Sequence, residues 1–307
     1  MSVQVRFAVG PSEGSPVLLV HGGAGARSTP PSGDSERGYQ SGLAAALAAG
    51  AGVLSQGGTA LDAVCAAVTA LEDDPLFNAG RGASLTAAGT AELDAAVMTG
   101  DGRAGAIAAS RYIRNPILGA RAVMERTPHV LIAGPSAELA AEWNLDTVSP
   151  DYFITDHRRA QLATMLANCN AGPRHGTVGA VALDSAGHVA CATSTGGMAG
   201  QAVGRVGDTP LIGSGSFAAD DSVAVSCTGD GEAYIRGVVA HDIASRIRYL
   251  GQGLEDAVQA TYERTIERVG ATGGTIAVTP LREAVIMHNS GGMFAGYWDS
   301  ATCRTFT

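Results

Sequence analysis

Two strand-turn-strand segments set the tightest limit on what this chain can fold into. Residues 177–183 (TVGAVAL) are β-prone, Asp184-Ser185-Ala186-Gly187 supplies turn formers, and residues 189–193 run back as a second apolar stretch. The design recurs at residues 274–278, with a turn near Pro280 and a return at 284–288. Each segment predicts an antiparallel hairpin. Between the hairpins lie a strand at 223–228 and two helices, roughly 232–250 and 254–269. Long helices in pairs beside antiparallel strands predict an α/β sandwich in which helices cover a β core.

Composition removes whole reaction classes. All 20 Lys+Arg positions are arginine, so there is no lysine for a Schiff base, a Ser-Lys dyad or a P-loop. The 55 alanines and 42 glycines make about a third of the 307 residues, and small side chains let elements pack closely. No repeat and no linker divides the chain, which predicts a single domain, 1–307. The net charge of −9 argues against nucleic acid, whose binding needs clustered cations. Cys65, Cys169, Cys191, Cys227 and Cys303 are scattered, with no CxxC pair, and predict reduced core thiols in a cytoplasmic protein. The first residues lack a signal-peptide core, and no apolar segment reaches membrane-spanning length.

The N-terminal half reads as a strand at 17–20 entering a glycine loop at 21–25, then a surface loop at 30–34 and a helix at 38–56. A second helix starts after Thr59, with Leu61, Val64, Cys65, Val68 and Leu71 forming one buried stripe. A loop follows at 71–80, strands at 92–98, 104–110 and 130–133, and a helix at 117–126. A further helix through Leu162, Met165, Leu166 and Cys169 leads into residues 170–176, where glycine and proline forbid its continuation.

Most catalytic motifs are missing. There is no G-x-S-x-G elbow, no HExxH and no complete GxGxxG after a strand. His21-Gly22-Gly23 matches the oxyanion loop of lipases, but no elbow accompanies it. What remains is a set of threonines beside glycines. A threonine hydroxyl is a poor nucleophile without a base at hand, and an N-terminal threonine carries its own, the α-amine. Its pKa of roughly 7.7 to 8.0 leaves it partly neutral at cytosolic pH. Thr177 becomes N-terminal only if the Gly176-Thr177 bond is cut, and a glycine before the cut tolerates the strain of an N-to-O acyl shift. Taken singly, each fragment has a plainer reading: Thr177 opens a strand, Arg205 and Asp208 make a surface ion pair worth at most about 1 kcal/mol, and Thr228-Gly229 ends a strand.

Together and in order, the fragments resemble the plant-type asparaginases, also called isoaspartyl peptidases, within the N-terminal nucleophile hydrolases. The blocks are HGGAG at 21–25, LEDDPLFNAGRG at 71–82, ELDAAVM at 92–98, RNPILGARAVMERTPHVLIAG at 114–134, GTVGAVALD at 176–184, ATSTGGM at 192–198, GRVGD at 204–208 and SCTGDGE at 226–232. The resemblance implies a four-layer αββα sandwich, self-cleaved into an α subunit, 1–176, and a β subunit, 177–307. It implies hydrolysis of L-asparagine to L-aspartate and ammonia, and of β-aspartyl dipeptides, through an aspartyl-enzyme on Thr177. Thr195 would orient the nucleophile, and Asn78 would sit near it as a supporting polar group. Arg205 would grip the substrate α-carboxylate and Asp208 its α-ammonium. Thr228 and the Gly229 N–H would form the oxyanion hole, with Gly231 admitting the substrate amine.

No cofactor for catalysis is implied. Loop 71–82 resembles a structural sodium loop with main-chain ligands at Leu71, Glu72, Asp74, Phe77, Ala79 and Arg81, against the plainer reading of a loop shaped by Pro75. The implied assembly is a dimer of processed αβ units acting on small-molecule substrates. The chain departs from the pattern in a short segment carrying Arg174 and His175, in Asp230 between two glycines, and in a loose match at 288–293. Two rivals stay open: a glycosylasparaginase, against which Thr195-Gly196-Gly197 speaks, and an uncleaved, non-enzymatic aspartyl-binding protein.

Overall fold

The structure, a computed structural model, describes residues 2–10, 14, 16–25, 33–167 and 176–307. The chain opens with β1 (Gln4–Val9), β2 (Val17–Ala24), α1 (Gly33–Ser55) and α2 (Ala60–Asp73). Then come β3 (Leu93–Thr99), β4 (Ala104–Ser110), α3 (Pro116–Arg126), β5 (Leu131–Ala133), α4 (Ala137–Glu142) and α5 (Asp156–Ala167). The expected first hairpin is β6 (Val178–Leu183) and β7 (Val189–Thr195), followed by β8 (Ser216–Ala218) and β9 (Ala224–Gly229). Three helices, α6 (Gly231–Gly237), α7 (Val239–Leu250) and α8 (Leu254–Thr261), precede β10 (Gly273–Val278), β11 (Ala284–His288), β12 (Met293–Trp298) and β13 (Cys303–Phe306).

Each hairpin builds a different sheet. β6 and β7 lie inside an eight-stranded sheet of order β13-β12-β2-β6-β7-β3-β4-β5, and β10 and β11 lie inside a five-stranded one, β1-β11-β10-β9-β8. The period-2 alternation of strand side chains sorts the core. On β2, Leu18 and Val20 pack with residues of α1, α2 and α3, whereas Val17 and Leu19 pack with Ile276, Ile286 and Ala224 of the other sheet. On the second sheet, Ile276 and Ile286 face the first, while Ala277, Val285 and Met287 join a cluster with α6, α7 and α8. Strands covered on both faces read as continuous apolar runs, which is why β2 and β6 carry almost no polar residue.

The alanine-rich α2 behaves as its stripe predicts. Leu61, Val64, Cys65, Val68 and Leu71 are all buried, and Thr59 caps the helix by accepting from the Asp62 N–H at 3.1 Å. Several expectations need correction. The 21–24 stretch continues β2, paired with β12 through a bulge between Phe294 and Ala295, so it is a strand and not a loop. Gly33 and Asp34 open α1 instead of closing a surface loop. The single helix expected at 232–250 is two, broken at Val238, whose φ of +47° is left-handed. Cys303 lies exposed on β13, away from the core, whereas Cys65, Cys191 and Cys227 are buried thiols. Cys169, Arg174 and His175 lie outside the described residues. Among the described residues no helix is long and apolar enough to cross a membrane.

Candidate active site

The bond expected to be cut is presented at the mouth of β6, just ahead of Val178. Thr177 is buried at 6% exposure, and its Oγ1 donates to Thr195 Oγ1 at 3.3 Å. Thr195, the last residue of β7, in turn donates to the Gly176 carbonyl at 3.0 Å and accepts from the Gly197 N–H at 2.9 Å. Asn78 Nδ2 donates to the same Gly176 carbonyl at 2.6 Å and to the Gly197 carbonyl at 2.7 Å. Its Oδ1 accepts from the Ser84 N–H at 2.6 Å, which fixes the amide's orientation. One carbonyl therefore holds two side-chain donors, with the Thr177 hydroxyl beside it.

Two residues outside the expected site close the other side. Gly23 has φ +110°, and a Cβ there would fall 3.2 Å from Gly176 Cα and 3.5 Å from Thr177 N, so only glycine lets β2 approach the bond this closely. His21 is fully buried, with Nε2 on Ser226 Oγ at 2.9 Å. Its ring lies beside the Thr177 backbone, although Nδ1 makes no hydrogen bond of full geometry. Burial pushes its pKa down to about 3, so the imidazole is neutral and acts as packing and a hydrogen-bonding wall.

The second group gathers Arg205, Asp208 and Gly231. A Cβ on Gly231 would lie 2.8 Å from Asp208 Oδ1 and 2.9 Å from Arg205 Nη2, so the glycine keeps the space between the two charges open. Asp208 is 5% exposed, which rules out the surface-pair reading, and Arg205 pairs instead with Glu232 through Nε and Nη2, both at 3.0 Å. Asp208 Oδ2 is buried and receives no hydrogen bond from a described protein atom. Burial pushes this carboxyl up to about 7, against the pull of its own amide and of Arg205. A buried carboxyl oxygen lacking a donor is a place for a cationic partner.

Thr228 and Gly229 end β9. Thr228 Oγ1 accepts from the Ala24 N–H at 3.3 Å, which leaves the hydroxyl's own proton free to donate. Gly229 has φ +142° and sits against Gly273 in the β9–β10 ladder. Ala24 follows Gly23, so β2 links this pair to the Thr177 side. Asp230 points to β10: its Oδ2 accepts from the Thr272 N–H at 2.6 Å. In loop 71–82, the Glu72 carbonyl accepts from the Arg81 N–H at 2.8 Å and the Asp74 carbonyl from the Phe77 N–H at 3.2 Å. Among the described residues no cluster of three or more His, Cys, Asp or Glu could hold a metal.

A family profile described as asparaginase matches residues 14–307. The chain belongs to this asparaginase family. The isoaspartyl peptidases of Salmonella typhimurium and Escherichia coli are each 44% identical to it over 295 and 298 residues, covering 92% of this chain and 94% and 93% of theirs. The isoaspartyl peptidase/L-asparaginase of Homo sapiens is 39% identical over 288 residues, covering 91% of this chain and 92% of its own. Membership in a hydrolase family removes the non-enzymatic rival.

Proposed function

We propose that the protein is a self-processing threonine amidohydrolase that hydrolyses L-asparagine to L-aspartate and ammonia and cleaves β-aspartyl dipeptides, on a four-layer αββα frame. The observation that carries the reading is the Gly176 carbonyl, held by Thr195 and Asn78 with the Thr177 hydroxyl alongside. Thr177 Oγ1 attacks the Gly176 carbonyl carbon, the two donors stabilise the oxyanion, the C–N bond breaks, and the proton passes to the Thr177 nitrogen. Water then hydrolyses the ester, leaving the Gly176 carboxylate and a free Thr177 amine and hydroxyl. In the mature enzyme the amine takes the hydroxyl proton as Oγ1 attacks the substrate side-chain carbonyl, and returns it to the leaving amine. Thr228 and the Gly229 N–H receive the oxyanion, Arg205 the α-carboxylate, and Asp208 the α-ammonium across Gly231. A second water releases aspartate.

Incubation of the purified protein with β-Asp-Leu and with GlcNAc-Asn tests the substrate class. Release of leucine supports the reading, and turnover of GlcNAc-Asn alone overturns it in favour of a glycosylasparaginase. Replacing Asn78 with alanine removes one donor from the Gly176 carbonyl and is expected to slow self-cleavage by about 10²-fold, followed as loss of the full-length band with time.

The pH profile separates the two acid-limb groups. Asp208 must be ionised to pair with the α-ammonium, and its raised pKa near 7 means kcat/KM rises with pH through that value. The Thr177 amine must be neutral, which adds a second proton loss near roughly 7.7 to 8.0. Asparagine is expected to show a limb of slope approaching two, and succinamic acid, which lacks the α-amine, a slope of one. Equal slopes would count against Asp208.

Loop 71–82 fits a hard cation by donor chemistry, since Leu71, Glu72, Asp74, Phe77, Ala79 and Arg81 would all offer carbonyl oxygens. A Cβ at Gly80 would fall 2.5 Å from the Glu72 carbonyl oxygen, so the loop folds tightly on its own backbone. A sodium ion there would brace the loop that carries Asn78 and take no part in the chemistry; exchanging sodium for choline should then lower the thermal midpoint. The assembly we propose is a dimer of αβ units, which sedimentation velocity distinguishes from a single unit.

A further inference from the structure

Glu92 immediately precedes β3 and Asp94 is its second residue, so on extended backbone both side chains leave on one face. Both are buried, at 4% and 3% exposure. Acids at such depth need donors in place of water. The donors here include backbone amides of the segment Gly204-Arg205-Val206-Gly207-Asp208. Glu92 Oε2 accepts from the Gly204 N–H at 2.7 Å, and Asp94 Oδ2 accepts from the Gly207 N–H at 3.2 Å. The two amides flank Arg205 and Val206, so the turn that carries the guanidinium is tied to β3 at both ends.

The remaining oxygens are engaged as well, which fixes the rotation of each carboxyl. Glu92 Oε1 pairs with Arg111, and Asp94 Oδ1 accepts from the Ala109 N–H at 2.9 Å. Ala109 holds a left-handed φ of +50°, an unfavourable conformation for a residue with a Cβ and one that accompanies this contact. β3 is also linked to the nucleophile through one residue, because Asp94 pairs with Thr195 in the β3–β7 register and Thr195 Oγ1 accepts from Thr177 Oγ1. The spacing between the reacting threonine and the charged clamp thus runs through two paired strands, β7 and β3.

We infer that Glu92 and Asp94 are positioning residues for the aspartyl head group: they fix the 204–208 turn so that Arg205 and Asp208 hold the α-groups while the side-chain carbonyl reaches Thr177. The inference rests on the reading of Arg205 and Asp208 given above. It separates recognition from chemistry, since neither acid touches substrate or the Gly176-Thr177 bond.

The test compares Asp94→Asn, Glu92→Ala, Glu92→Gln and Arg205→Ala in the self-processed enzyme, with β-Asp-Leu as substrate. Asp94→Asn presents an NH₂ to one of the two amides that Asp94 now accepts from, and Glu92→Ala leaves the Gly204 amide without its acceptor. Both are expected to cleave fully at Gly176-Thr177 and to raise KM by about tenfold or more, with kcat within about threefold. Glu92→Gln keeps an oxygen for Gly204 and should stay within about threefold of the parent KM. If Arg205→Ala raises KM while Asp94→Asn and Glu92→Ala do not, the positioning role is wrong and the clamp survives. An unchanged KM in Arg205→Ala removes the clamp and the inference with it. A fall in kcat with KM unchanged marks a merely structural role and overturns the inference. Should Asp94→Asn fail to process, the contrast between Glu92→Ala and Glu92→Gln decides.

Discussion

Replacing Thr177 with alanine is expected to leave the chain uncut and to lower hydrolysis of asparagine and β-Asp-Leu by more than about 10⁴-fold. The substitution removes the hydroxyl and one methyl group and keeps the fold of β6, because Val178 and the strand residues that pack on both faces are untouched. The Gly176 carbonyl would still meet Thr195 and Asn78, so the loss isolates the nucleophile from its surroundings. Thr177→Ser supplies the control: with the hydroxyl retained, cleavage and turnover persist at reduced rate. Denaturing electrophoresis and a leucine-release assay read both properties on one preparation. An alanine variant that still cuts itself would falsify the assignment.

The second large effect is expected at the end of β9. Thr228→Val keeps the shape of the side chain and removes the hydroxyl proton, and is expected to lower kcat by about 10²–10³-fold. Gly229→Ala should do the same by another route. A Cβ at this φ of +142° would lie 2.4 Å from both Gly273 Cα and the Thr272 carbonyl oxygen, so the β9–β10 pair must part and carry the Gly229 N–H away. Self-cleavage uses a different carbonyl cradle, Thr195 with Asn78, so Thr228→Val is expected to mature normally while turning over slowly. A kcat within about threefold of the parent would remove Thr228 from the oxyanion hole.

The hairpins and the α2 stripe were legible because their signals are local. Turn residues sit between β-prone runs at 177–193, and the apolar spacing of Leu61 to Leu71 sums over a whole helix. The short edge elements β1, β8 and β13 were not, since three to six residues with polar members carry no period and owe their pairing to neighbours far along the chain. Val238 breaks a helix that the sequence predicts as continuous, because nothing in a β-branched residue announces a left-handed φ.

Within the site, the threonines were readable from their glycine neighbours and from resemblance. The positions of Gly23, His21, Glu92 and Asp94 in the site are not legible in the sequence, for different reasons. Gly23 and His21 match a lipase-like loop in the sequence, and their proximity to Gly176 exists only after β2 has paired with β6. Glu92 and Asp94 carry no local signal of a role, because the turn amides they hold lie over a hundred residues away. Their burial was the missing signal. The resemblance aims the Arg205 fork at substrate; in the structure it rests on Glu232, a partner that a substrate carboxylate would have to displace if the proposed clamp holds.

Self-cleavage at Gly176-Thr177 is the claim on which the catalytic account depends, because Thr177 has no base until its own amine is released. N-terminal sequencing of the smaller fragment from a denaturing gel tests it most directly. Two bands are expected, residues 1–176 and 177–307, with the smaller beginning Thr177-Val178-Gly179-Ala180. A fragment that starts elsewhere, or an active protein that remains a single full-length chain, would contradict the account.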